Sequence, residues 1–205
     1  MTRRLLPFAC VFALVFAAAP LFAQATTWQI DSAHTGAQFA VKHMMVSTVR
    51  GQFNKTTGTV TWDGKDFSLA VVDIVIDASS IDTRVQQRDD HLRSADFLDV
   101  AKFPTLTFKS TKIEPAGAGK LRMTGDLTIR GLTKSVVFDV DGPSAPIKEQ
   151  AGGSRVGASA ATKISRKDFG LTWNRMIEAG GAVVGDEVAI TIDLELVNRP
   201  AAAAK

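Results

Sequence analysis

The sequence predicts an all-β domain, a run of strands forming an antiparallel barrel with one short helix, and three observations carry that reading. Apolar residues recur at every second position over most of the chain from Trp28 onward, the pattern of strands with one face in and one face out. Turn-forming residues break these runs at even spacing, with mostly short connections, as in up-and-down barrels of about eight strands. A single stretch of helix formers interrupts the series. A two-sheet sandwich uses the same alternation, so pattern alone leaves barrel and sandwich both open.

Near the start, Ala37, Phe39 and Val41 share a face with His43, and Gln38 and Lys42 take the other. Asp63-Gly64 joins the Thr57–Trp62 segment to the next strand. Residues 67–77 (FSLAVVDIVID) are apolar on both faces, and Val72, Ile74 and Ile76 are the expected inward set. Thr83 with Gln86 fits a capping box, which predicts a helix from Arg84 to about Ser94. Pro104 returns the chain to extended geometry. Leu106 and Phe108 then alternate with Thr105, Thr107 and Lys109, and Gly117–Gly119 turns into a strand with Leu121, Met123, Leu127 and Ile129 on one face. Gly131 turns again, and Val136, Phe138 and Val140 follow. Asp141–Gly153, with two prolines and three glycines, reads as a longer loop. Phe169–Ile177 does not alternate cleanly, whereas Val188, Ile190, Ile192, Leu194 and Leu196 do. The tail from Asn198 to Lys205 is expected to fray.

The first 25 residues have the layout of a cleaved secretory leader. Arg3 and Arg4 precede an uncharged, apolar run from Leu5 to Ala23, and Ala23 and Ala25 supply the small residues a signal peptidase reads. The division is therefore residues 1–25 as signal peptide, 26–198 as barrel and 199–205 as flexible tail, with the mature protein in the periplasm. The whole chain carries 24 lysines and arginines against 21 acidic residues. Losing Arg3 and Arg4 leaves 22 against 21, and a near-neutral protein has no global field to attract nucleic acid. The only cysteine, Cys10, lies in the leader, so the mature chain has no disulfide, thiol nucleophile or thiolate ligand.

Catalytic patterns are absent. The three histidines are His34, His43 and His91. His34 and His43 lie nine positions apart, about 30 Å along an extended strand and on opposite faces, so Asp31 and His34 are expected to fix the first strands by hydrogen bonding. There is no G-x-S-x-G elbow, H-x-x-x-H pair or Gly-rich phosphate loop, and no metal site is assigned. The polar cluster Arg88-Asp89-Asp90-His91 with Arg93 and Asp96 reads either as a solvated helix face or as a polar rim able to meet an anionic headgroup. Eight phenylalanines and three tryptophans follow the leader, with no tyrosine. They fill a dry core or line a ligand pocket, and an eight-stranded barrel accommodates either.

Several motifs in order carry a resemblance: Asp31-x-x-His34, Phe39-x-Val41-x-His43-Met44, Val49-x-Gly51-x-Phe53, Arg88-Asp89-x-His91-Leu92-x-Ser94-x-Asp96-Phe97, Phe103-Pro104-x-Leu106-x-Phe108-x-Ser110, Gly125-x-Leu127-Thr128-Ile129-x-Gly131-x-Thr133, Ser165-Arg166-x-Asp168-Phe169-Gly170 and Val184-Gly185-x-Glu187-Val188. Together they resemble the YceI-like family over about Trp28 to Val197. The resemblance implies an eight-stranded, antiparallel, lipocalin-like barrel with one short helix near its opening. It also implies an apolar pore for a polyisoprenoid or quinone-like chain, held for transport, storage or sensing without catalysis or a cofactor. Carried over by position, Phe39, Val41, Phe53, Ile74, Phe108, Phe138, Trp173, Met176 and Ile177 would line the pore, and Arg88 and His91 would contact a headgroup. Expected partners are the lipophilic molecule, a transiently touched membrane or membrane protein, and a second copy in a homodimer. Three rivals stand beside this: a quinone-dependent electron-transfer accessory, a scavenger of lipophilic compounds, and an interaction module with a dry core.

Overall fold

A computed structural model of the chain describes residues 25–150, 152–176 and 181–199. The leader up to Gln24, Ile177 and the tail beyond Arg199 lie outside these described residues. Among the described residues twelve strands form the sheet: β1 (Thr26–Ile30), β2 (Gly36–His43), β3 (Ser47–Phe53), β4 (Thr56–Trp62), β5 (Val71–Asp77), β6 (Ile81–Asp82), β7 (Thr105–Pro115), β8 (Lys120–Ile129), β9 (Leu132–Asp141), β10 (Ile147–Lys148), β11 (Ser154–Ser165) and β12 (Val184–Asn198). They reduce to eight positions. β1 and β2 pair with successive stretches of β12, Ile30 opposite Leu196 and Ala37 opposite Ile192. β3 with β4, and β5 with β6, likewise continue one another along their neighbours. Antiparallel pairing then runs from β5 through β7, β8 and β9 to β11. Pairing of β11 with β12 from Ser154–Asn198 to Ser165–Glu187 closes the ring, so the architecture is a barrel and not a sandwich.

Three local readings need correction. The helix α1 spans Gln86–Arg93 and not Arg84–Ser94. Arg84 is held at φ 65°, outside helical geometry, and the capping box does not form. Thr83 instead donates through its backbone N (2.9 Å) and Oγ1 (2.5 Å) to the buried Asp89 carboxylate, while Gln86 turns to Asp90. Residues 67–69 form a 3-10 turn capped by Asp66, and the strand begins only at Val71. The Asp141–Gly153 loop contains β10, and β11 after it is a full strand without clear hydropathy alternation.

One end of the barrel is solid. Trp28 and Trp62 are each 4% exposed, with ring centroids 5.6 Å apart, and Phe67 stands edge-on to Trp62 at 5.2 Å. Val60, Val156 and Leu196 complete this base. The break between β1 and β2 is fixed by Asp31, which accepts from Ala33 N (3.0 Å), His34 Nδ1 (3.1 Å) and Arg155 Nη1 (2.7 Å). Arg155 also donates to Glu149 and Glu195. The Arg155 guanidinium, helped by His34, holds the Asp31 carboxyl well below the usual range. A depressed carboxyl stabilises the fold above its unfolded value of about 4 and loses that contribution as pH falls toward its folded value. Asp31→Asn is therefore expected to cost about 1–2 kcal/mol at pH 7. Denaturation curves of variant and parent should converge as the pH drops below about 4.

Candidate ligand-binding lumen

Above the tryptophan base the barrel is hollow. About 210 Å³ of the lumen is open to the centre of a water-sized sphere, against roughly 10–15 Å³ needed to seat one water on that measure. This is room for a chain of many atoms, not a packing flaw. Phe67, Val72, Met123 and Leu194 line it toward the base, and Ile74, Ile76, Leu106, Leu127, Ala160 and Ile192 are among its walls. Inward-facing Ile190, Ile192 and Leu194 are only partly buried, as expected where side chains face a space instead of one another.

Two aromatic pairs shape the bore. Phe39 and Phe53 have centroids 5.8 Å apart, and Phe108 meets Phe138 edge-on at 5.2 Å. Each pair depends on a glycine. A Cβ on Gly51 would lie 2.4 Å from the Phe39 ring, and one on Gly125 2.4 Å from the Phe108 ring and 2.5 Å from Lys109 O. The rings therefore lie against the wall over residues without side chains. Gly125→Ala is expected to cost about 1–3 kcal/mol and to reduce the amount of ligand held, because the displaced ring turns inward. Chemical denaturation and native mass spectrometry check the two effects.

Two segments cover the other end. Leu92, Phe97 and Leu98, from α1 and the turns after it, face the lumen, as do Leu171 and Val184. Arg93 ties α1 to Ser79 O (2.8 Å) and Ile81 O (2.7 Å). Arg130 joins the two covers, donating to Ala95 O (2.8 Å) and Gly170 O (2.7 Å). Arg166, 3% exposed, borders the lumen and holds the second cover to β12. It donates to the carbonyls of Gly185 (2.9 Å), Trp173 (2.9 Å) and Leu171, with Asp186 at 3.4 Å. Burial lowers the pKa of its guanidinium, and the Asp186 charge opposes that.

The expected lining residues Phe39, Val41, Phe53, Ile74, Phe108 and Phe138 all face this lumen. Trp173 does not. It packs at 4.8 Å on His91 and 5.2 Å on Phe97, outside the lumen wall. Met176 is 79% exposed and bridges to Ala182, outside the lumen wall. Ile177 lies outside the described residues. Arg88 and His91 also stand away from the lumen. Arg88 folds back on Thr83 Oγ1 (2.8 Å) and Thr83 O (2.9 Å), and His91 Nε2 meets Asp96 at 2.9 Å while its ring is stacked edge-on by Phe97. Residues not singled out from the sequence complete the site: Ala158 and Ala160, Leu92 and Leu98, and Arg166. Asp31, His34 and Glu195 place donor atoms within 4.8 Å of one another, but Arg155 already bridges the two carboxylates, and a metal would have to displace it.

Residues 28–196 match the model of the YceI-like domain. The chain belongs to the YceI-like family. A UPF0312 protein of Vibrio parahaemolyticus is 38% identical over 156 residues, covering 75% of this YceI-like chain and 82% of the relative. The crystal structure of the Campylobacter jejuni YceI protein superposes with a TM-score of 0.67 at 31% identity, over 78% of this chain and 90% of that one. A polyisoprenoid binding domain from Saccharophagus degradans, implicated in plant cell wall breakdown, superposes with a TM-score of 0.60 over 84% of this chain and 98% of that one. At 16% identity this last likeness shows the shared YceI-like fold alone.

Proposed function

We propose that this chain binds one long apolar lipid of isoprenoid type in its lumen, in the periplasm, and transports, stores or senses it without making or breaking a bond. The observation that carries the reading is the lumen itself, a large space walled almost wholly by aliphatic and phenyl groups. The basic start and apolar run of residues 3–23 support export. The Saccharophagus degradans domain, named for polyisoprenoid binding, supports the ligand class. Each buried CH₂ contributes about 0.8 kcal/mol, so a five-carbon unit contributes a few kcal/mol gross before ordering costs. An exposed ion pair at the rim contributes about 0–1 kcal/mol. Affinity therefore resides in the chain, and a headgroup has only a secondary influence.

The test is to express the precursor in a bacterial periplasm, purify it without detergent, and compare native and denaturing mass spectra. A stoichiometric mass released on denaturation and fragmenting in isoprene-sized steps is the expected result. Protein that is empty, and stays empty after incubation with quinones, polyprenyl phosphates and fatty acids, would overturn the reading in favour of a dry-core module.

A further inference from the structure

The turn joining β2 to β3 is built from residues poorly suited to its geometry. Val46 N donates to His43 O at 3.1 Å across Met44 and Met45, and both methionines have positive φ, 51° and 59°. That is the type I′ arrangement, for which Asn-Gly is the favoured pair because those residues tolerate a left-handed backbone. Here two methionines occupy it, 41% and 65% exposed, followed by Val46 at 82%. The tip does not stand alone. Met44 N donates to Val183 O (2.8 Å), and Val183 N to Arg175 O (2.9 Å), and the exposed Met176 bridges to Ala182 beside them.

We propose that the β2–β3 turn, with Met176 beside it, forms a docking surface for an anionic lipid bilayer, through which the lumen exchanges its cargo; the exchange role rests on the lipid-binding reading above. Large apolar side chains held in water on a backbone that disfavours them are suited to insertion among headgroups and acyl chains. Cations flank them, while the nearby carboxylates of Asp186 and Glu187 are paired with Lys167 and Lys163. Lys42 and Arg50 are exposed on the outward face of β2 and β3, and Arg175 stacks over Trp173 at 5.7 Å. Basic groups flanking an exposed apolar turn are drawn to anionic headgroups. The position is right for transfer, since Val41 and Val184, just inside this surface, line the lumen. A ridge of four side chains is small for a stable protein partner or second copy, which needs about 800 Å² on each side, but suits shallow, reversible membrane contact.

The test uses sedimentation with phosphatidylethanolamine–phosphatidylglycerol vesicles, with phosphatidylcholine vesicles as the neutral control, and the paired change Met44→Asn with Met45→Gly. Those residues suit the turn, so the variant should melt no lower than the parent and carry the same lipid mass in native spectra. Its vesicle-bound fraction should fall at least fivefold, and its delivery of lipid to acceptor vesicles should slow likewise. A parent protein that stays in the supernatant, or a variant that binds as the parent does, would overturn the docking surface. Vesicle binding that depends on Met44 and Met45 in a protein that never carries lipid would overturn the lumen reading and leave the docking surface standing.

Discussion

Ala160→Phe is expected to give a barrel that is emptier and at least as stable as the parent. Ala160 sits on β11 between Val140 on β9 and Ile192 on β12, and it lines the lumen. A phenyl group there enters existing space and need not push neighbours apart. Burying it against the apolar walls contributes about 1.5–3 kcal/mol, a rise in melting temperature of several degrees for a domain of this size. The same ring removes the room a lipid chain needs, so native mass spectra should show at least a tenfold drop in bound lipid. Loss of ligand together with gain of stability separates occlusion from misfolding. A variant that melts higher yet carries its full complement of lipid would place the binding site elsewhere.

The largest loss of stability is expected from Arg166→Ala. The guanidinium is 3% exposed and partners four backbone carbonyls, those of Leu171, Trp173, Val184 and Gly185. Removing it takes that donor from the carbonyls of Leu171, Trp173 and Gly185, leaves Val184 O to Asn174 Nδ2, and deprives Asp186 of one of its cations. The cost is about 3–5 kcal/mol, a fall in melting temperature on the order of 10 °C. Lysine keeps the charge but lacks the planar fork, so Arg166→Lys should recover only part of it. Hydrogen exchange should show protection lost first at Leu171–Trp173 and Val184–Gly185, where the cover meets β12. An alanine variant within 1 kcal/mol of the parent would mean that the second cover is held by its packing alone.

What was legible in the sequence is what alternation encodes. Val72, Ile74 and Ile76 face inward as read, although the segment is apolar on both faces, and the rows in β7, β8, β9 and β12 follow their period of two. β11 was not legible, because its inward residues Val156, Ala158, Ala160 and Ile164 alternate with Gly157, Ser159, Ala161 and Lys163. The contrast there is mostly in size and backbone freedom, and hydropathy hardly registers it. Those small residues make room for the lumen, so the weakest strand in the pattern is a main contributor to the cavity. The covers were illegible for another reason. Arg88, His91 and Trp173 make contacts set by tertiary folding, and Arg84 at φ 65° shifts the start of α1. A propensity argument at Thr83 had no access to the buried carboxylate of Asp89 that takes both of its donors.

The tryptophan-packed base has a kinetic meaning for a chain-like cargo. A tube stopped at one end has a single doorway, so the terminus that goes in first comes out last. Two chains cannot pass one another, and an incoming molecule cannot push the resident one out from behind. Replacement must therefore begin with departure. For such a cargo the turnover rate would be set by its own escape past the covers, unchanged by free lipid in solution and altered only by the docked bilayer proposed above.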